Sequence, residues 1–451
     1  MRILLITGYF PPHCPAATTR APSFARYLLG QGHDVRVLCP DRTKYESVIS
    51  AGLPAGRVHY VRLPDVDAWI RRLKDWLGRG RSRKAYDMGK ARGERPPALA
   101  RPAGVMARFR AKAASLYYSL AYFPDRQWPW IRPARRAGDA LLRQWRPDVI
   151  YVSAPTFSPF FVASYLHRRT NIPWVAEYRD AWVLEPNYSH PWLRRVVERW
   201  LEKRVTASAA MVVCVTAQTA KRMAAYLKRP TLCAQNGYDQ EDFDALPPPA
   251  PLDRERLTIL YAGAVYAGHR DPTPLFAALA AMGDGRKRYQ VIVHTGETEI
   301  VAAQAARLGV EDVVAIEGLI PRHQVLAREM AADVLLLLRG TGTHEDSVVP
   351  GKLFEYIGAR RPILALGSTT GEADDIIRDQ GFGFVSKEAG EIGVQLEHWH
   401  AEKMTHGGRL PAPPGDAGHF TRARQFAIVL EELQRLTGLQ PEGMARATSS
   451  R

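Results

Sequence analysis

The most restrictive stretch of this chain is residues 332–338 (ADVLLLL), an apolar run closed by four consecutive leucines. A strand that is apolar on both faces is stable only when both faces are covered, which points to a parallel sheet packed between helices. A polar loop follows, then Pro350, a helix-like segment over 351–359 and a second apolar run over 363–367. Strand, loop, helix and strand in this order place the helix N-terminus at the carboxyl edge of the sheet, where open α/β folds bind ligands. Pro350 suits a helix start, where a missing N–H is tolerated. Gly351 allows close approach to the backbone. Free amides there, with Lys352 beside them, make a candidate phosphate site, Val348 lies on the approach to it, and Glu355 is one turn further on, within reach of sugar hydroxyls. The same pattern also suits Leu353, Phe354 and Ile357 as core and Glu355 as a solvated acid.

The rest of the chain repeats this grammar twice. Residues 2–7 read as a strand, 8–12 as a Gly/Pro loop, Thr18 or Thr19 to Gly30 as a helix and 35–39 as a second strand, a βαβ opening. No GxGxxG occurs there, so a dinucleotide cofactor is not expected. Strands are predicted at 58–63, 148–153, 174–178, 210–216 and 231–239, with helices at 134–145, 160–169, 191–207 and 218–228. Four prolines between residues 247 and 251 mark a linker. Past it, strands at 257–262, 289–294, 313–316, 332–338, 363–367 and 382–385 alternate with helices at 275–282, 299–308, 322–330, 351–359 and 371–379, and an amphipathic helix closes the pattern at 420–436. The predicted organisation is an N-terminal Rossmann-like domain over 1–245, a linker over 246–256, a C-terminal Rossmann-like domain over 257–418, a final helix over 419–438 packing back on the first domain, and a loose tail over 439–451.

In the first domain, the candidate residues cluster at strand ends. The loop after the first strand offers Tyr9, and Thr18, Thr19 and Arg20 stand at the start of the helix. The threonines also suit helix capping, and the arginine a surface position. Ser153 ends one strand, and Arg179 with Asp180 ends another. Charged residues at such tips are site candidates, with a structural ion pair involving Asp180 or Glu177 as the alternative.

The chain has 451 residues, 46% hydrophobic and 24% charged, which fits a globular protein of two or three domains. Its net charge is +16, and residues 66–146 hold 20 Lys and Arg against 6 Asp and Glu, so +14 of the excess sits there. With Trp69, Trp76, Phe109, Tyr117, Tyr118 and Tyr122 interleaved, the segment reads as a patch for an anionic membrane surface. A solvated arginine-rich insertion is the alternative, and nucleic acid, with only the charge behind it, is not expected as a partner. Cys14, Cys39, Cys214 and Cys233 show no CxxC spacing, so a reducing compartment and no zinc site are expected. The aliphatic run Ile3–Ile6 is too short to suggest a signal segment, and no span of about 18 apolar residues is read, so neither a leader nor a membrane span is expected. The expected location is the cytoplasm, with peripheral contact at the inner face of the membrane.

Four stretches taken together carry a resemblance: Arg2–Leu4 through Pro11-Pro12 to Gly32-His33-Asp34-Val35; Glu177-Tyr178-Arg179-Asp180-Ala181-Trp182; Asn236-Gly237-Tyr238-Asp239; and Tyr261-Ala262-Gly263 with His269-Arg270-Asp271-Pro272, followed by Pro350-Gly351-Lys352-Leu353-Phe354-Glu355-Tyr356. In these the sequence resembles the retaining nucleotide-sugar glycosyltransferases of family 4 and their group-1 relatives. The resemblance implies a GT-B fold, two Rossmann-like domains facing across a cleft. It implies transfer of a hexosyl or related group from a nucleotide-diphosphate sugar to a saccharide or lipid-linked acceptor in surface polysaccharide or glycoconjugate synthesis. It further implies retention and no obligatory metal or other cofactor, the nucleotide sugar being a substrate. The family's Glu-x7-Glu pair maps its ribose-binding member onto Glu355 and its sugar-binding member onto Ser347, with Glu345 or Asp346 as substitutes. Its phosphate-binding pair falls near Ala264 and His269, leaving His269, Arg270 and Lys352 for that task. Its active-site histidine falls on Arg179. Tyr9, Thr18, Arg20 and Ser153 are then candidates for acceptor binding, and Arg179 and Asp180 for the catalytic positions. A GT-B epimerase acting on a nucleotide sugar, or a GT-B binding subunit without transfer, remain as alternatives.

Overall fold

A computed structural model describes residues 1–12, 19–41, 52–65, 121–185, 188, 190–266, 268–340 and 348–439. Thr18, Glu345, Asp346, Ser347, most of the basic segment (66–120) and the tail from residue 440 lie outside them. The chain divides into two compact units, Met1–Met211 and Val212–Arg451. The proline-rich stretch 246–256 carries neither helix nor strand.

The first sheet opens with β1 (Arg2–Thr7), α1 (Arg20–Gly30), β2 (Asp34–Asp41) and β3 (Val58–Arg62). It continues with α2 (Ile131–Gln144), β4 (Val149–Ala154), α3 (Ser158–Thr170), β5 (Trp174–Tyr178), α4 (Trp192–Thr206), β6 (Met211–Cys214), α5 (Ala217–Leu227) and β7 (Thr231–Cys233). The strand order is β3-β2-β1-β4-β5-β6-β7. β1 runs parallel to β2 on one side and to β4 on the other. Ile3 to Ile6 are fully buried, as a central strand of this kind requires. Of the two threonines considered as caps, Thr19 occupies the cap position of α1 without a side-chain capping hydrogen bond, and Thr18 lies outside the described residues.

After the short helix α6 (Gln240–Asp244), the second sheet forms from β8 (Leu257–Ala262), α7 (Thr273–Ala281), β9 (Tyr289–His294), α8 (Thr298–Leu308) and β10 (Val314–Glu317). Then come α9 (Arg322–Ala331), β11 (Val334–Leu338), α10 (Gly351–Ala359), β12 (Ile363–Leu366), α11 (Glu372–Asp379), β13 (Gly383–Val385), α12 (Ala389–Thr405) and α13 (Arg422–Thr437). The order is β10-β9-β8-β11-β12-β13, all parallel. The leucine run behaves as its sequence demands. Leu336 and Leu338 enter one core cluster and Leu335 and Leu337 the other, so the sheet is covered on both faces. The 17-residue helix α12 was not anticipated from the sequence.

In both sheets the chain builds outward in one direction and then returns to start again beside the first strand. The reversal falls between β1 and β4 in one sheet and between β8 and β11 in the other. Loops at the carboxyl ends of such neighbouring strands diverge and leave room for a ligand.

The amino ends of β8 and β11 are tied together by a buried charge network. Lys403 of α12 donates to the Asp333 carboxylate (2.6 Å) and to the carbonyls of Asp253 (2.6 Å) and Arg256 (2.7 Å). The same Asp333 oxygen accepts from the Thr258 amide (2.8 Å) and hydroxyl (2.7 Å). The Lys403 ammonium is wholly buried, and its three N–H groups match three acceptors. Removing one partner of a buried pair strands the other charge, at a cost of about 3–5 kcal/mol. Lys403→Met should therefore lower the denaturant midpoint of the second unit by that equivalent, read by chemical unfolding followed by circular dichroism.

Candidate functional site

In the second unit, the candidate residues converge on the carboxyl ends of β8 and β11. Helix α10 begins at Gly351 behind Pro350, whose backbone is extended, and among the described residues no side chain caps it. Its first-turn amides are thus directed outward with the positive end of the helix dipole. Gly351 is exposed, and the space beside its Cα is open.

Lys352 reaches from this helix across to β8, where its Nζ lies 4.8 Å from the ring centroid of Tyr261. A side chain at Gly263, whose φ is +157°, would run into that ammonium, so glycine there makes room for the lysine. The Tyr261 hydroxyl donates to the Ala264 carbonyl (2.7 Å), and burial pushes its pKa up to about 12. Arg270, on the loop after β8, is exposed and closes a Tyr266–Arg270 bridge. Its charge is near enough to depress the pKa values of both Tyr261 and Lys352. Asp271 holds this loop in place: its carboxylate accepts from the amides of Gly268 (3.0 Å) and Thr273 (2.9 Å) and from Gln304 (2.9 Å).

Two residues that the sequence reading missed complete the cluster. Arg322, at the start of α9, bridges Glu355 (2.9 Å) and Asp242 (2.7 Å). Glu329, on the same helix, is buried to 1% exposure, and among the described residues neither of its carboxylate oxygens has a hydrogen-bond partner. Burial first, and the charge of Glu355 second, push its pKa up to about 8, while Lys352 and Arg322 pull it down. Lys352 is lowered by burial, against the opposing pull of Glu329 and Glu355. The sequence signal for Glu329 was its place three residues after Leu326, on the inward stripe of an amphipathic helix.

The structure thus brings Arg270, Lys352, Glu355 and Gly351 into one electrostatic neighbourhood. His269 is exposed on the same loop as Arg270. Val348 is exposed ahead of α10. Among the described residues no group of three or more His, Cys, Asp or Glu is placed to hold a metal ion.

In the first unit, Ser153 and Arg179 lie at adjoining strand ends. The Thr7 hydroxyl donates to the Ser153 carbonyl (3.2 Å), and Arg179 donates through Nε to the Ala154 carbonyl (2.9 Å). Asp180 is exposed, and Tyr9 is half-buried just past β1. Arg20 is buried, and its Nε donates to Glu177 at 2.8 Å. The Tyr151 hydroxyl donates to the same Glu177 oxygen, also at 2.8 Å. Burial alone would raise the Glu177 pKa, but the Arg20 charge and these hydrogen bonds bring it below its ordinary value. The ion pair weighed for Glu177 therefore exists, with Arg20 as its cation.

Comparison with known proteins supplies a fold context. Residues 92–242 match the family model described as Glycosyltransferase Family 4. Over nearly its whole length the chain is similar to the solved structure of sucrose-phosphate synthase from Thermosynechococcus elongatus, at 14% identity and a TM-score of 0.53, covering 97% of each chain. It is similar to the lipopolysaccharide outer core galactosyltransferase WaaB at 12% identity and 0.53, covering 96% of this chain and 99% of that one. It is also similar to Anabaena Alr3699/HepE, solved in complex with UDP, at 13% identity and 0.51, covering 97% and 98%. These likenesses show the fold, the GT-B arrangement of two parallel-sheet α/β domains. No curated protein sequence matches the chain.

The Glu329 carboxyl has a pH signature. Its folded pKa of about 8 lies above the value of about 4.3 for an unfolded glutamate. Between those values the folded state retains a proton that the unfolded chain has released, so its contribution to stability is full at low pH and is lost as pH rises towards 8. Glu329→Gln keeps the neutral form at every pH. The variant should match the wild-type Tm near pH 4 and exceed it progressively up to pH 8 and beyond, by about 2–4 °C for each kcal/mol, read by thermal scans across pH.

Proposed function

We propose that this chain is a glycosyltransferase that moves a hexosyl or related group from a nucleotide-diphosphate sugar to a saccharide or lipid-linked acceptor, with retention and without an obligatory metal. The observation that carries this reading is the N-terminus of α10, opened by Pro350 and Gly351, with Lys352 laid across β8 and Arg270 beside it. The Family 4 match over 92–242 and the GT-B fold support it.

In this reading, the glycosidic C–O bond to the diphosphate breaks and the nucleoside diphosphate departs. Lys352, Arg270 and the α10 amides take up the charge that develops on the leaving oxygen. The acceptor hydroxyl attacks the anomeric carbon from the same face and passes its proton to the departing phosphate. Glu355, oriented by Arg322, holds the ribose. Ser347, His269 and Val348 complete the donor side. Arg179 and Asp180 orient the reacting groups, while Tyr9, Thr18 and Ser153 take the acceptor, and Arg20 contributes by fixing Glu177.

The first test is a thermal-shift panel of nucleotide sugars and nucleoside diphosphates, since a ligand of the folded state alone raises its stability by mass action. The donor so found is then used in a transfer assay that reads nucleoside diphosphate release. Lys352→Ala should lower kcat about a hundredfold, the scale of losing one stabilising group in a transition state. Glu355→Ala should act mainly on KM. Near-wild-type transfer by Lys352→Ala overturns the assignment, and donor turnover that needs no acceptor favours an epimerase.

A further inference from the structure

Helix α4 is inside out. The residues that it turns to the protein are charged: Glu198 is 1% exposed and Glu202 is fully buried, with Val205 and Thr206 beside them. Glu198 is clamped by Arg194 Nε (2.7 Å) and the Tyr188 hydroxyl (2.5 Å), and Arg194 donates to the Pro124 carbonyl (2.9 Å). The residues that it turns to solvent are apolar: Trp192 (75% exposed), Leu193 (60%), Val196 (55%) and Trp200 (60%). Their spacing over two turns makes one stripe, and an exposed stripe of this size signals a binding surface.

Exposed cations accompany the stripe. Arg195, Arg199, Lys203 and Arg204 are all exposed. Arg204 lies 5.6 Å from the Trp200 ring centroid. Both acids of the helix, Glu198 and Glu202, are buried, so the exposed charges that the helix itself contributes are all positive. Tryptophan at the centre with arginine and lysine around it is the composition of a helix that lies in the plane of a bilayer interface.

We propose that the outer face of α4 docks onto an anionic lipid surface, with Trp192, Leu193, Val196 and Trp200 entering the headgroup boundary and Arg199, Lys203 and Arg204 meeting lipid phosphates. The sign of the charge selects this occupant. A second copy would bring the same cations against their own counterparts. Residues 66–120 hold 14 Lys and Arg against 4 Asp and Glu and would likewise be repelled. This surface lies outside the 66–146 stretch to which the charge count alone pointed, and it is independent of whether transfer occurs.

The test uses the full chain and vesicles of phosphatidylcholine, alone or mixed with phosphatidylglycerol. The wild type should sediment with the mixed vesicles and not with the neutral ones, and binding should weaken as salt rises. Trp192→Ser/Trp200→Ser and, separately, Arg199→Glu/Arg204→Glu should each weaken vesicle binding by about tenfold or more, a change of about 1.4 kcal/mol, with Tm unchanged. Brominated acyl chains should quench tryptophan fluorescence in the wild type, which reads insertion without any substitution, and should quench it less in the tryptophan variant. Equal binding to neutral vesicles, unaltered binding by either variant, or a wild-type dimer that the tryptophan variant dissolves, each overturns the proposal. The last outcome would make the face a contact between copies, and capture of an acidic protein with no vesicle binding would overturn it in the same way.

Discussion

The candidate site of the second unit depends on a contact that lies at the opposite end of the strands that carry it. β8 and β11 must sit side by side for their carboxyl ends to form the switch point, yet each is flanked by a loop at its start. Lys403 closes that junction by holding Asp333 together with the chain just before β8, and Thr258 locks the same carboxylate from within the strand. A buried ammonium is tolerated only when its protons are all used, and here they are. The second buried pair, Arg339 with Asp374, works at the carboxyl end, joining the last turn of the β11 segment to α11. Gly367, at φ +114°, is pressed against the Arg339 carbonyl, where a side chain would clash. Both ends of β11 are therefore fixed by charge.

On the neighbouring helices the balance reverses, and ionisable groups sit where burial disfavours their charge. Glu329 has no hydrogen-bond partner among the described residues, and Lys352 is held in surroundings that weaken its hold on its proton. Neither arrangement favours stability, and sites are where such local rules are broken. A phosphate arriving beside Lys352 would favour its charged form, because an opposite charge at close range raises a lysine pKa. Glu329 and Glu355, when ionised, pull the lysine pKa in that same direction.

Much of this was legible in the sequence, for reasons that can be traced to particular residues. The leucine run could be read because no alternation interrupts it, and the segment 351–359 because Pro350 and Gly351 mark its start. Helix α12 could not. Its inward stripe is Ile392, Leu396, Trp399 and then Lys403, so the last position of the pattern is a charge. Glycines at 390 and 393 weaken the signal further. Arg20 read as a rim residue because its partner, Glu177, is 157 residues away and no local pattern links them. Arg322 and Glu329 were passed over since acids and bases on an amphipathic helix usually face water.

Helix α4 shows how burial can invert a pattern that periodicity alone describes correctly. Its apolar stripe is visible in the sequence, and the ordinary inference turns such a stripe inward. The structure turns it outward because the opposite face has a more specific use. Arg194, Glu198 and Tyr188 satisfy one another and reach the carbonyls of Tyr122 and Pro124. Facing those charges to water would release their mutual hydrogen bonds while burying two tryptophans where carbonyls wait for donors. The chain instead keeps the polar lock and leaves the indoles outside, an orientation that costs apolar exposure in water and is relieved only at a surface able to take it up. An inverted helix is therefore evidence of a different kind from a charge count, since it records a choice between two faces of one element.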